Sequence, residues 1–182
     1  MRQEKMNQAK TANQKSNIVL VGMPASGKST IGVVLAKIMG KEFVDTDISI
    51  QHVEGRTLQE IIDTDGNDYF RKVEEEVLLG FDEENSVVAT GGSAAYYEAA
   101  MDHLRENGIV VYLNVPLEGI LERLTNLETR GVTLKPGQTI ADLYEERRPY
   151  YEKCSDITVE TDEMGIWKAA EEIAEKIKVF TR

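Results

Sequence analysis

Ile18-Val19-Leu20-Val21-Gly22-Met23-Pro24-Ala25-Ser26-Gly27-Lys28-Ser29-Thr30 decides how this chain folds. Residues 22–29 fit G-x-x-x-x-G-K-[ST], the loop that wraps the phosphates of a nucleotide. Each fixed position has a physical task. The glycines let successive backbone N–H groups turn inward with no side chain in the way. Lys28 reaches the β- and γ-phosphates, the Ser29 hydroxyl suits Mg²⁺, and the following helix points its positive end at the anion. Gly22, Ala25, Ser26, Gly27, Lys28, Ser29 and Thr30 are therefore the candidate nucleotide-binding residues, for a nucleoside triphosphate with Mg²⁺.

The flanking sequence supports this reading. Ile18–Val21 is a short apolar run that enters the loop as a buried strand, and Ile31, Val34, Leu35 and Ile38 follow at helical spacing. Further along, apolar runs at Glu42–Asp45, Ser86–Ala89, Ile109–Leu113 and Asp156–Val159 predict four more strands. Helices are expected over Asp68–Leu79, Ala94–Glu106, Leu117–Asn126, Ile140–Lys153 and Glu163–Val179. In the last, Ile166, Ala170, Ile173 and Ile177 form a stripe, and Trp167 beside it is expected to pack in the core. Such alternation predicts an α/β fold with a five-stranded parallel sheet covered by helices on both faces. Ligands of such sheets bind beyond the carboxyl ends of the strands. The phosphate loop, Asp45-Thr46-Asp47 and Thr90-Gly91-Gly92-Ser93 all follow strands and so converge on that edge.

Composition narrows the partners. The 182 residues suit one domain over 17–182, preceded by a polar tail, Met1–Ser16, expected to be disordered. A net charge of −11 disfavours nucleic acid, and no apolar run is long enough to cross a membrane. Cys154 is the single cysteine, so no internal disulfide forms, which suits a cytoplasmic protein. Thr125–Thr139, with Gly131, Pro136 and Gly137, reads as a mobile lid able to exclude water from a transferred phosphoryl group. His52 and His103 show no ligand pattern and are expected at the surface.

Around the loop, the chemistry stays open on residues alone. Asp45 and Asp47 offer one carboxylate near Mg²⁺ and one near an acceptor hydroxyl; equally, Asp47 could cap the next helix. Arg71 reads first as a surface partner of Glu74 or Glu75. Arg147-Arg148 reads as a basic pair at a helix end, although in an acidic chain either arginine near the loop could grip an anion. Thr90-Gly91-Gly92-Ser93 serves as an anion clamp or as a plain strand-to-helix turn.

Taken in order, the motifs resemble the shikimate kinase family of phosphate-loop proteins. The resemblance runs from Ile18 to about Lys178. It rests on Gly22–Thr30, Phe43-Val44-Asp45-Thr46-Asp47 and Asp65-Gly66-x-x-Tyr69-Phe70-Arg71-x-x-Glu74. Thr90-Gly91-Gly92, Val110–Leu113, Arg123, Arg130 and Arg147-x-Pro149-x-Tyr151 complete it. It implies ATP and Mg²⁺ as cofactors, with Lys28 and Ser29 on the phosphates and metal and Asp45 holding the metal through water. It further implies that Asp47 binds the acceptor hydroxyls and orients or deprotonates the attacking one, and that Arg71 and Arg147 hold the carboxylate of shikimate, with Glu74 bracing Arg71. Gly91 and Gly92 would line the acceptor pocket, Arg123 would lie against adenine, and Arg130 would close over the transferring phosphate. A cytoplasmic monomer acting on a small molecule is expected.

Four places depart from the family pattern. Ser93 stands at a third glycine, Gly131-Val132 follows the lid arginine in place of Pro-Leu, Asn67 replaces a glutamate, and Ile62 replaces an aromatic. The expected activity is phosphorylation of shikimate to shikimate 3-phosphate. A kinase for another small hydroxylated carboxylic acid or sugar acid, or a nucleotide-binding regulator, are the alternatives.

Overall fold

The structure, a computed structural model, describes residues 15–124, 132, 134, 135, 137–162 and 164–182. Five strands alternate with seven helices among them: β1 Asn17–Val21, α1 Lys28–Met39, β2 Glu42–Asp45, α2 Thr46–Glu54, α3 Leu58–Leu79, β3 Ser86–Ala89, α4 Glu98–Asn107, β4 Gly108–Asn114, α5 Leu117–Arg123, α6 Ile140–Cys154, β5 Ile157–Glu160 and α7 Ile166–Phe180. A 3₁₀ turn, Ala94–Tyr96, precedes α4. The sheet runs β2-β3-β1-β4-β5, and every pairing is parallel, with Leu20 opposite both Ala89 and Val111. The expected tail falls almost wholly outside the described residues, as do Arg130, Gly131 and most of the expected lid.

Burial on both faces explains the parallel sheet. Alternate residues of β1 enter opposite cores: Ile18 and Leu20 pack with α1 and α7, while Val19 and Val21 pack with α4 and α6. Each such side chain, fully buried, contributes about 1.5–3 kcal/mol of transfer free energy. A third, smaller cluster joins Ile50 of α2 to Ile61, Phe70 and Val73 of α3. That separate cluster holds the α2–α3 hairpin above the carboxyl ends of β1–β3, where it walls the site. No helix among the described residues is long and apolar enough to cross a membrane.

Several expectations are corrected. Thr46–Glu54 forms a helix that the apolar pattern does not announce. The helix expected from Asp68 begins at Leu58, started by a capping box between Thr57 and Glu60 and broken at Gly66, where φ is 84°. The region 94–106 divides into the 3₁₀ turn and α4. The helix expected to reach Asn126 closes at Arg123, and the last helix begins at Ile166. Trp167 is 54 % exposed, not core, and Ile166 is exposed as well. At 100° per residue Trp167 lies about a quarter turn off the buried stripe of Ala169, Ala170, Ile173, Ala174 and Ile177, and both residues occupy the first turn of α7. His103 is half-buried, its Nε2 2.6 Å from the Phe81 carbonyl oxygen.

Candidate active site

The phosphate loop owes its shape to backbone conformation. Ala25 and Gly27 take positive φ of 64° and 96°, and Ser26 N–H closes onto the Met23 carbonyl at 3.1 Å. Gly27 caps α1 without any side-chain hydrogen bond, and no acidic residue occupies the first turn of the helix. Its leading N–H groups are thus left for an external anion. Gly22 and Ser26 are buried under the loop, whereas Ser29 and Thr30 are exposed. Lys28 is buried, and its ammonium donates to the Gly22 and Met23 carbonyls, both at 2.8 Å. Burial lowers its pKa to about 8 against the opposing pull of Asp47, Asp45 and Glu74.

A cavity of about 410 Å³ opens beside this loop, within the size range of small-molecule sites. Of the residues expected from sequence, it gathers Ala25, Gly27, Lys28, Ser29, Thr30, Asp47, Gly91, Gly92 and Arg147, together with Glu74. Asp45, Arg71 and Arg123 do not border it. Asp45 is the helix cap: its Oδ1 accepts the Asp47 N–H at 3.0 Å, so the cap expected of Asp47 belongs to its neighbour. Asp47 is left to face the cavity. Burial, followed by the carboxylates of Asp45 and Glu74, pushes its pKa up to about 7, and Lys28 opposes them.

Gly91 shows why this turn must lack a side chain. The volume a Cβ would fill there is taken by Glu74 Oε1, and Asp47 Oδ1 lies 3.0 Å from the same point. At Gly92 the corresponding space meets Pro24 at 2.8 Å and Arg147 Nη1 at 2.9 Å. The Tyr151 hydroxyl donates to the Gly92 carbonyl from α6, and its ring stacks on Tyr112. That contact fixes the turn against the helix that carries Arg147. The Thr90 hydroxyl donates to the Leu20 carbonyl at 2.9 Å and ties the turn to β1.

Arg147 is 4 % exposed, and its Nε has no hydrogen-bond partner among the described residues. Its guanidinium sits 5.4 Å from the centroid of the Tyr96 ring, and Tyr150 packs edge-on against that ring at 4.9 Å. A buried, incompletely paired guanidinium at a cavity wall is a prepared site for an anion.

Arg71 behaves differently. Its only ion pair among the described residues is a loose one to Asp68 at 3.8 Å, and the side chain is half exposed. Glu74, expected to brace Arg71, instead accepts hydrogen bonds from Ser93 at 2.6 Å and Tyr97 at 2.8 Å. Arg123, at the end of α5, donates to Asp162 Oδ1 at 3.0 Å and to the Asp162 carbonyl at 3.1 Å, beyond β5.

The cavity also includes Gln51, Thr57, Leu58 and Gln59, which the motifs do not single out. For Thr57, Leu58 and Gln59 the signal is Thr57-x-x-Glu60, the capping-box spacing that starts α3, whereas Gln51 sits on α2 and carries no such signal. Ile62, by contrast, packs into the α2–α3 cluster and does not line the cavity.

Residues 24–178 match the family model described as shikimate kinase. The chain belongs to the shikimate kinase family. Among its relatives, the shikimate kinase of Clostridium botulinum is 40% identical over 151 residues, covering 80% of this chain and 88% of the relative. That of Aquifex aeolicus is 37% identical over 161 residues, covering 88% and 92%. The structure of shikimate kinase from Acinetobacter baumannii in complex with shikimate superposes with a TM-score of 0.82 at 33% identity, covering 94% of this chain and 98% of that one. Membership in this family brings ATP as the phosphoryl donor.

Proposed function

We propose that the protein transfers the γ-phosphoryl group of ATP to shikimate, giving ADP and shikimate 3-phosphate. The observation that carries this reading is one cavity that joins the phosphate loop to Asp47 and to the buried guanidinium of Arg147. Such a cavity has a donor end, a hydroxyl-binding carboxylate and an anion-binding wall. Shikimate carries both the hydroxyl and the carboxylate that these groups would engage. Shikimate kinases 37–40% identical to this chain support the same acceptor.

The residues present suit Mg²⁺. Ser29 is exposed at the start of α1, and Asp45 Oδ2 accepts no hydrogen bond among the described residues. Both offer the oxygen donors a hard cation prefers, Ser29 directly and Asp45 through water. Bound Mg-ATP would supply the electrophilic phosphorus and neutralise charge on its oxygens. Lys28 would leave the Gly22 and Met23 carbonyls for the phosphates and stabilise charge there. Asp47 would orient the attacking hydroxyl and accept its proton, as its raised pKa suits. Arg147 would hold the carboxylate, joined on the family resemblance by Arg71, with Gly91 and Gly92 lining the pocket. On the family resemblance, Arg130 would close over the transferring group and Arg123 would lie against adenine. The single cysteine, buried Cys154, supports a reducing cytoplasm as the compartment.

The test is product identification. Incubation with Mg-ATP and shikimate, followed by NMR of the product, is expected to show phosphate on the 3-hydroxyl. Phosphate on another hydroxyl, or unchanged shikimate while another hydroxy acid is phosphorylated, would refute the assignment.

A further inference from the structure

Tyr96 ends the 3₁₀ turn that follows Gly91–Ser93, and its N–H donates to the Ser93 carbonyl at 2.9 Å. Its side chain is fixed as well. The hydroxyl donates to Glu146 Oε1 at 3.0 Å, and Tyr150 packs edge-on against the ring at 4.9 Å. Glu146 is itself held by Gln138 at 2.7 Å and Lys135 at 3.0 Å. Over this braced ring lies the Arg147 guanidinium, 5.4 Å from the centroid. A guanidinium is planar and carries all its N–H donors in that plane. Contact through its face therefore orients it without consuming a donor. Tyr96 and Tyr150 also line a second cavity, of about 100 Å³, which Arg147 does not border. Loss of the ring would widen the space open to the guanidinium.

We propose that Tyr96 is a positioning residue: its ring, braced by Glu146 and Tyr150, holds the Arg147 guanidinium by one face so that the N–H edge meets the carboxylate of the acceptor. This rests on the reading of Arg147 as the carboxylate-binding group of the cavity, and it names what aims that group. The ring thereby favours acids over neutral acceptors of the same shape. Neither Tyr96 nor Tyr150 belongs to the motifs that carry the family resemblance, so only the fold reveals this support.

Steady-state kinetics with shikimate and with its carboxamide analogue, which lacks the charge, test the proposal. Tyr96→Leu is expected to raise the KM for shikimate about tenfold, with kcat and the KM for ATP within about twofold of the parent. With the carboxamide the same variant is expected to shift KM by less than about twofold. Tyr96→Phe, which keeps the ring, restores a KM for shikimate close to the parent's. In an Arg147→Ala background Tyr96→Leu adds nothing further. Tyr150→Ala, at an exposed position, is expected to raise the KM for shikimate about threefold, and it reports on the same bracket if Tyr96→Leu does not fold. Equal rises for shikimate and the carboxamide, or a rise undiminished in the Arg147→Ala background, would overturn the proposal, since they would mark a general effect on the pocket. An unchanged KM in Tyr96→Leu would overturn it while leaving the role of Arg147 standing. If Arg147→Ala itself leaves the KM for shikimate unchanged, the reading of the acceptor wall fails, and this proposal falls with it.

Discussion

Asp45 Oδ1 accepts the backbone N–H of Asp47 at 3.0 Å, so two carboxylates two residues apart carry separate duties. One ends the strand and starts α2; the other is released into the cavity. Replacing Asp47 should therefore cost turnover with little stability, whereas replacing Asp45 should cost stability as well as its hold on Mg²⁺. Asp47→Asn keeps the cap, because the bond uses only the backbone N–H, and is expected to lower kcat by about 10²–10⁴-fold with little loss of stability. Asp45→Ala is expected to cost about 1 kcal/mol of stability through the lost cap. Urea unfolding and steady-state kinetics on the two variants check this; equal destabilisation by both would contradict the division.

Arg147 should govern acceptor binding. Arg147→Ala is expected to raise the KM for shikimate by about 30-fold or more while the KM for ATP stays within about twofold, since a charge-assisted contact in a closed site is worth ~2–5 kcal/mol. Arg147→Lys should rescue little, because an ammonium neither spans a carboxylate with two bonds nor stacks as well on Tyr96. Parallel loss of ATP affinity would argue against a position on the acceptor wall.

Lys28 holds the phosphate loop closed through two of its carbonyls. Lys28→Ala is expected to depress kcat by about 10²–10³-fold with every acceptor tested. A loss confined to one acceptor would place Lys28 on the acceptor wall instead.

Burial raises the pKa of Glu74, opposed by its hydrogen bonds to Ser93 and Tyr97 and by Arg147 and Arg71. The unfolded chain releases that proton at lower pH than the folded one. Its contribution to stability is therefore full below the unfolded value near 4.5 and is lost as pH rises through the folded value. Glu74→Gln keeps an oxygen for Ser93 and Tyr97 and removes the buried charge. It is expected to raise the melting temperature at neutral pH, with the advantage vanishing near pH 4. A variant less stable than the parent at neutral pH would show that the arginines outweigh the burial.

The phosphate loop is legible in sequence because its work is done by consecutive residues whose conformations are local, Gly27 above all. Strand positions are legible because burial on both faces demands continuous apolar runs such as Ile18–Val21. The order β2-β3-β1-β4-β5 is not, since it arises from pairings between distant segments. Helix α2 is hidden because only Thr46 and Ile50 of its nine residues are buried, too few to make a stripe. The Glu74–Ser93–Tyr97 cluster is equally silent. Its members lie on α3, in the turn after β3 and at the start of α4, and only the fold brings them together.

Shikimate should be the acceptor taken by the cavity beside the phosphate loop, and ADP release coupled to a spectrophotometric signal, with Mg-ATP and a panel of hydroxylated acids, tests this. Saturable turnover is expected with shikimate at roughly 1–100 per second, and a kcat/KM above that of every other acid. ATP binding without turnover of any acid, or a clear preference for a different carbon skeleton, would contradict it.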